Sequence, residues 1–419
     1  MQICIVAENA STRFGGEAIL PFHYFRVLRA RGMQAWMVVH SRTRDELQAL
    51  FPDEQDRILY VEELPIQASL FKLSRFLPRR VGEATIGLAS QLLTQLQQRN
   101  IVRRLVREHG ITVVHQPIPV SPRLPSLLCE LGAPVIIGPL NGGMDYPQGF
   151  RNVESRLTRL FVAFSRLLSN AANRILPGKR LAEVVLVANQ RTHQALPSGV
   201  RGRIIEMVEN GVDLKIWSDF GSEQLPQQNR FMFLGRLVDW KAVNLAIEAV
   251  ALVPGAELEI IGDGPMRLEW TALAERLGLS ERVHFLGWLP QQECAEHLRS
   301  AIALLLPSIY ECGGAVVLEA MAMGRPVVAA QWGGPADCLD PACGILIPTD
   351  SPQSMIGNFA AAMKLLMDSP ALCRRMGSIG REKALRDFDW EKKVDHMLLI
   401  YASAAGNSSD VAGTSAIRS

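Results

Sequence analysis

Two glutamates eight positions apart, Glu311 and Glu319, bracket a glycine-rich turn in Pro307-Ser308-Ile309-Tyr310-Glu311-Cys312-Gly313-Gly314-Ala315-Val316-Val317-Leu318-Glu319. The apolar run at 303–306 before the turn reads as a strand, and the apolar stretch after it reads as a helix. A junction of this kind is where open α/β sheets bind their ligands. N–H groups around Gly313, Gly314 and Ala315 would open that helix, where the dipole favours an anion. Carboxylates beside an anion site fit when they hold neutral hydroxyls, which sugars and ribose supply. One glutamate alone reads more simply as a solvated side chain, but the whole block points to ligand contact.

A second cluster, Phe233-Leu234-Gly235-Arg236-Leu237-Val238-Asp239-Trp240-Lys241, delivers Arg236 at a strand end and places Lys241 at the start of the next helix. Such cations can meet the charge of a diphosphate leaving group; alone they read as exposed charges on a helix face. Ile261-Gly262-Asp263-Gly264-Pro265 fails the dinucleotide fingerprint, because Arg267 holds the third glycine position, and reads as a tight turn at a pocket rim. In the first half, Gly15-Gly16 follows a strand and opens a helix, which lets backbone approach a phosphate or sugar. His115 ends another strand, a placement equally compatible with a structural and a functional histidine. The run from Gly138 to Gly143, with Asn141 and Gly142, is a third strand-end loop. The sequence holds no GxSxG, HExxH or Walker A pattern, so hydrolase and NTPase classes lose support.

The elements that must position these residues alternate short apolar runs with amphipathic stretches, the rhythm of βα units and parallel sheets. Strands are expected at 3–6, 35–39, 58–61, 112–115, 134–137 and 184–187, with a helix over 16–31. The rhythm restarts at 231–234, 258–261, 283–286, 303–306 and 326–329. With 419 residues, 48% hydrophobic and 21% charged, the chain is long enough for two or three domains. The expected division is a Rossmann-like domain at 1–208, a second at 209–385, a helix at 386–405 and a small, polar, disordered tail at 406–419. Residues 1–7 lack the pattern of a signal peptide, no apolar run reaches membrane-span length, and the seven cysteines form no CxxC pair. A reduced, cytoplasmic protein is the expectation.

The net charge of +2 conceals a balance of +10 over residues 1–208 and −8 over 209–419. A basic half beside an acidic half suggests different partners for each. Basic residues are not interleaved with aromatics, and only 6% of the chain is aromatic, so nucleic acid is not an expected partner.

Taken together, the Glu-x7-Glu block in PSIYECGGAVVLEAMAMGRPVVA closely resembles the signature of the retaining glycosyltransferases of family 4 (group 1 glycosyltransferases). The likeness extends to Gly15-Gly16, His115, Glu209-Asn210-Gly211-Val212-Asp213, FLGRL, IGDGP, the 331–337 loop and Asp389-Trp390. It implies an α/β, GT-B architecture: two Rossmann-like domains with parallel sheets facing across a cleft, the last helix crossing back to the first domain. It also implies a nucleotide-sugar donor held by the C-terminal domain. Arg236 and Lys241 would grip the diphosphate, aided by amides of Gly313, Gly314, Ala315 and Val316. Glu319 would take the ribose, Glu311 the transferred sugar, and His115 would approach that sugar. Gly15, Gly16, Gly235, Gly262 and Gly264 would line the donor, with Asn210 at the hinge and Asn141 and Gly142 on the acceptor side. The resemblance further implies retention of configuration, no metal or other cofactor and no protein nucleophile. Three departures stand out: Ala242 where glycine is usual, Cys312-Gly313 where Gly-Phe is common, and Asp337 where glutamate is usual.

The acceptor is expected to be a saccharide or lipid-linked saccharide, as in polysaccharide biosynthesis. Residues 71–80 mix apolar and basic side chains, and Arg151, Arg156, Arg159 and Arg166 recur along a helical stretch. Such segments can lie on an anionic membrane, here the inner face of the cell membrane, although an ordinary solvated arginine face explains them as well. Two alternatives share the fold: a nucleotide-sugar epimerase and a non-catalytic nucleotide-sugar-binding protein.

Overall fold

The computed structural model describes residues 1–14, 16–67, 69, 86–153, 168–218 and 229–406. The expected tail, Gly15 and the basic segments at 71–80 and 154–167 lie outside them. Of Arg151 only the backbone is described.

The chain clusters into two compact units. The first comprises the described residues of Met1–Gly143, Leu160–Glu209 and Val394–Ser419, and the second those of Met144–Arg159 and Asn210–Lys393. In the first unit β1 (Gln2–Val6), β2 (Gln34–His40), β3 (Ile58–Val61), β4 (Val113–Gln116), β5 (Val135–Leu140), β6 (Val184–Val187) and β7 (Arg203–Glu206) make one parallel sheet, ordered β3-β2-β1-β4-β5-β6-β7. Ile3 pairs with Ala35 on one side and Val113 on the other. The strand order reverses between β1 and β4, so their carboxyl ends diverge and leave a crevice. Helices α1 (Ile19–Ala30) and α2 (Leu88–His109) pack on this sheet. α2 ends at Gly110, whose φ of +63° and N–H bond to the Val106 carbonyl close the last turn. The expected helix over 16–31 is a 3-10 turn, Gly16–Ala18, followed by α1.

The second unit repeats the plan. β8 (Arg230–Leu234), β9 (Glu257–Ile261), β10 (Val283–Gly287), β11 (Ala303–Leu306), β12 (Val327–Ala330) and β13 (Gly344–Ile347) form a parallel sheet ordered β10-β9-β8-β11-β12-β13. Its reversal lies between β8 and β11, where Ala303 pairs with Phe231. The crossovers that position the site are α3 (Val243–Ala251), α4 (Arg267–Arg276), α5 (Gln291–Ser300) and α6 (Ala315–Ala322). β11 and β12 are buried at every position, the mark of a central strand covered on both faces. The last described helix, α7 (Trp390–Ala404), begins beside an isolated bridge between Val212 and Asp389.

Candidate functional site

The carboxyl ends of β8, β11 and β12 bring together the residues that the second half of the sequence marked out. Lys241 does not start a helix: it closes a 3-10 turn, Asp239–Lys241, and α3 begins at Val243. Ala242, between them, is held at φ +48°, a left-handed conformation that costs a residue with a Cβ about 1–2 kcal/mol. That strained corner sets Lys241 over the end of β8, where a Cβ on Gly235 would sit 3.8 Å from Lys241 Cε. Lys241 Nζ forms an ion pair with Glu311 Oε2, each side chain only 15% exposed. An ammonium carries three donors, so this pairing leaves Lys241 able to serve an anion as well. Arg236 is exposed at the same strand end.

The Glu311 backbone is braced from the next strand end. Gly334 N–H donates to the Glu311 carbonyl at 2.8 Å. Gly333, at φ +66°, approaches so closely that a Cβ there would lie 2.1 Å from the Glu311 oxygen and 2.6 Å from Met144 Sδ. Ile309 N–H bonds to the Trp240 carbonyl at 2.9 Å, joining the Lys241 turn to the Glu311 loop. Helix α6 follows Gly314, at φ +67°, with no side-chain cap, which leaves its amide end open to an acceptor. Ser308 is fully buried, and its Oγ has no hydrogen-bond partner among the described residues. Glu319 lies about one turn along α6, where burial of its carboxyl pushes the pKa up to about 8.

Gly262 and Gly264 lie against the backbone of the neighbouring strand-end loop. A Cβ at Gly262 would fall 2.0 Å from the Gly235 carbonyl oxygen, and one at Gly264 would fall 2.4 Å from that of Leu237. Two bonds in the same direction, from Gly235 N–H to the Ile261 carbonyl (3.0 Å) and from Leu237 N–H to the Asp263 carbonyl (2.9 Å), lock the two strand-end loops together. The glycines are spent on backbone packing, and the packing positions Arg236.

In the first unit His115 is wholly buried. Its Nε2 lies 2.6 Å from the Gly138 carbonyl oxygen and its Nδ1 lies 2.7 Å from the Tyr401 hydroxyl. Because a carbonyl only accepts, Nε2 carries the proton, and Nδ1 accepts from Tyr401. The Tyr24 ring packs edge-on at 4.8 Å. Both ring nitrogens are hydrogen-bonded within the chain. Asn141 is buried and donates from Nδ2 to Glu209 Oε1 at 2.6 Å. Gly142 donates its N–H to Thr192 Oγ1 at 3.1 Å. Gly16, at φ +53°, opens the turn before α1, and nothing lies within 4 Å of where its Cβ would be. Asn210 begins the second unit, and Lys393 Nζ reaches its carbonyl at 3.5 Å.

Several contributors carried no sequence signal. Lys179 is buried, its pKa lowered to about 7 by loss of hydration, and ties the Ser121 and Pro122 carbonyls at 2.8 and 3.0 Å. Asp145 accepts from Trp332 Nε1 at 2.9 Å, and the Tyr146 and Tyr310 rings lie 5.2 Å apart, so residues far upstream pack beside the Glu311 loop. Among the described residues no group of three or more His, Cys, Asp or Glu side chains is placed to hold a metal ion, and no helix is long and apolar enough to cross a membrane.

Comparison with known proteins adds a family to this geometry. Residues 216–383, two fifths of the chain, match the family model described as "Glycosyl transferases group 1". A glycogen synthase of Mycobacterium tuberculosis is 29% identical over 205 residues, covering 48% of this chain and 49% of its own. The lipopolysaccharide core biosynthesis glycosyltransferase LpsE of Rhizobium meliloti is 33% identical over 173 residues, covering 41% and 49%. The chain thus spans about half the length of the curated relatives it matches. Among solved structures, Anabaena Alr3699/HepE in complex with UDP superposes with a TM-score of 0.65 at 16% identity, covering 96% of this chain and all of the other. At that identity the likeness shows the fold, which is GT-B. The chain has the GT-B fold, and its residues 216–383 resemble a group 1 glycosyl transferase domain.

Proposed function

We propose that this protein is a glycosyltransferase that moves a sugar from a nucleoside-diphosphate sugar to a hydroxyl acceptor with retention of configuration. The observation that carries the reading is the convergence, at the strand reversal of the second sheet, of the Lys241–Glu311 pair, the uncapped α6 start and the Glu319 carboxyl. In this reading Arg236, Lys241 and the Ala315 and Val316 amides take the diphosphate. Glu319 accepts from the ribose hydroxyls, and Glu311, held by Lys241, accepts from hydroxyls of the transferred sugar. The bond from the anomeric carbon to the diphosphate oxygen breaks with its electron pair passing to that oxygen. The acceptor hydroxyl bonds to the carbon on the same face, and its proton goes to the departing phosphate. Charge on that leaving group is met by two cations and a helix dipole, so no metal is needed. His115 is a positioning residue here, not a group in contact with the sugar.

The basic balance of residues 1–208 favours an acceptor of opposite charge, a saccharide or lipid-linked saccharide presented at an anionic membrane surface on the cytoplasmic side. Thermal unfolding with UDP, GDP and ADP, with and without Mg²⁺, tests the donor site. A nucleotide at about 100 times its Kd stabilises by roughly 2.7 kcal/mol. One nucleotide should raise the melting temperature equally without the metal, and Arg236→Ala should abolish the effect. No shift with any of the three would overturn the reading.

A further inference from the structure

Residues 144–153 fall in sequence between β5 and β6, neighbouring strands of the first sheet, yet they cluster with the second unit. A connection between parallel strands ordinarily packs back onto the sheet it joins. In this one Met144, Tyr146 and Phe150 are buried, while Asp145, Gln148 and Gly149 between them are exposed. The segment touches both loops that brace Glu311. On one side the Tyr146 ring lies 5.2 Å from the ring of Tyr310, the residue before Glu311, tilted by 40°. On the other, Trp332 Nε1 donates to the Asp145 carbonyl at 2.9 Å. A Cβ at Gly333 would strike Met144 Sδ and the Glu311 carbonyl oxygen alike, so that glycine is enclosed from both directions. Farther along, a Cβ at Gly149 would lie 2.0 Å from the Asp350 carbonyl oxygen, just beyond β13. Gly313 and Gly314, soon after Glu311, give its loop little stiffness of its own. A carboxylate that must meet particular hydroxyls has to be held by packing around it. Lys241 holds the Glu311 carboxylate, and residues 144–150 hold the backbone that carries it.

We propose that residues 144–150 are a strap that positions Glu311, and that Tyr146 is its positioning residue. This rests on the nucleotide-sugar reading above, in which Glu311 serves the transferred sugar and other groups take the diphosphate. Disturbing the strap then weakens the hold on the sugar and spares the hold on the diphosphate. Calorimetry on the full chain with UDP, GDP, ADP and their common sugar conjugates tests it. Tyr146→Ala should bind the conjugate preferred by wild type about tenfold more weakly and its parent nucleotide unchanged. Tyr146→Phe, which keeps the ring, should recover most of the loss. In a Glu311→Ala background Tyr146→Ala should cost nothing further, because the group it positions is gone. Wild-type affinity for the conjugate in Tyr146→Ala overturns the proposal. An equal loss of the parent nucleotide also overturns it, since Tyr146 would then support the whole unit, and so does a loss that persists without Glu311. A wild type that binds nucleotides but none of the conjugates overturns it while the diphosphate site stands. One that binds neither removes the donor-site reading along with it.

Discussion

Burial moves the Glu319 carboxyl far from what that side chain does in water. Its folded pKa of about 8 stands above the ordinary carboxyl value of 4.5, so between those pH values the folded chain holds a proton that the unfolded chain has released. Stability contributed by the neutral carboxyl is full below about 4.5 and is lost as pH rises toward 8, by at most ~1.4 kcal/mol per pH unit. Glu319→Gln is neutral throughout. Its stability relative to wild type should rise between pH 5.5 and 8.5, read from urea midpoints, and a pH-independent difference would show that the carboxyl is not enclosed. Glu311 and Glu319 were legible because their spacing across a glycine turn is local chemistry. The ambiguity of His115 was not, because sequence marks the strand end but says nothing of Tyr401, 286 positions away. Lys179 was passed over for the same reason: burial is a property of the fold.

At the scale of elements, the strand-end loops hold their shape through backbone contact, and that makes the glycines separable by cost. Gly262 (φ +131°) and Gly255 (φ +78°) both disfavour a side chain, but a Cβ at Gly255 meets nothing within 4 Å, whereas at Gly262 it strikes the Gly235 carbonyl. Gly255→Ala should cost about 1–2 kcal/mol, the strain alone. Gly262→Ala should cost at least ~2 kcal/mol more and weaken nucleotide binding by displacing Arg236 and Lys241. Equal denaturation midpoints for the two variants would show that the β8 and β9 loops do not lock. Eleven of the strands were anticipated within a few residues of their ends. The two that were not, β7 and β13, are both sheet edges: Arg203-Ile204-Ile205-Glu206 is mostly exposed, and Gly344–Ile347 is half-buried. An edge strand has one neighbour and need not be apolar on both faces, so it lacks the continuous hydrophobic run that betrays a central one.

Across the whole molecule, the chain's return is what completes the first unit. Residues from Val394 onward cluster with that unit, and Val394, Met397, Ile400 and Tyr401 of α7 are buried. Tyr401 is fully buried, and its hydroxyl donates to a buried His115 nitrogen on a central strand, so removing the hydroxyl takes that donor away. Leaving a buried group unsatisfied costs about 1–3 kcal/mol, more than the bond contributes when made. Tyr401→Phe keeps the ring and removes only the donor, so it should lower the stability of the first unit by that amount. The nucleotide-induced rise in melting temperature belongs to groups of the second unit and should survive unchanged. Transfer activity supplies the discriminating readout. If His115 only positions its strand, Tyr401→Phe should leave the rate near wild type at temperatures where the fold is intact. A variant that kept its stability yet lost transfer would return His115 to the sugar, because freeing its Nδ1 would then have disturbed chemistry and not packing.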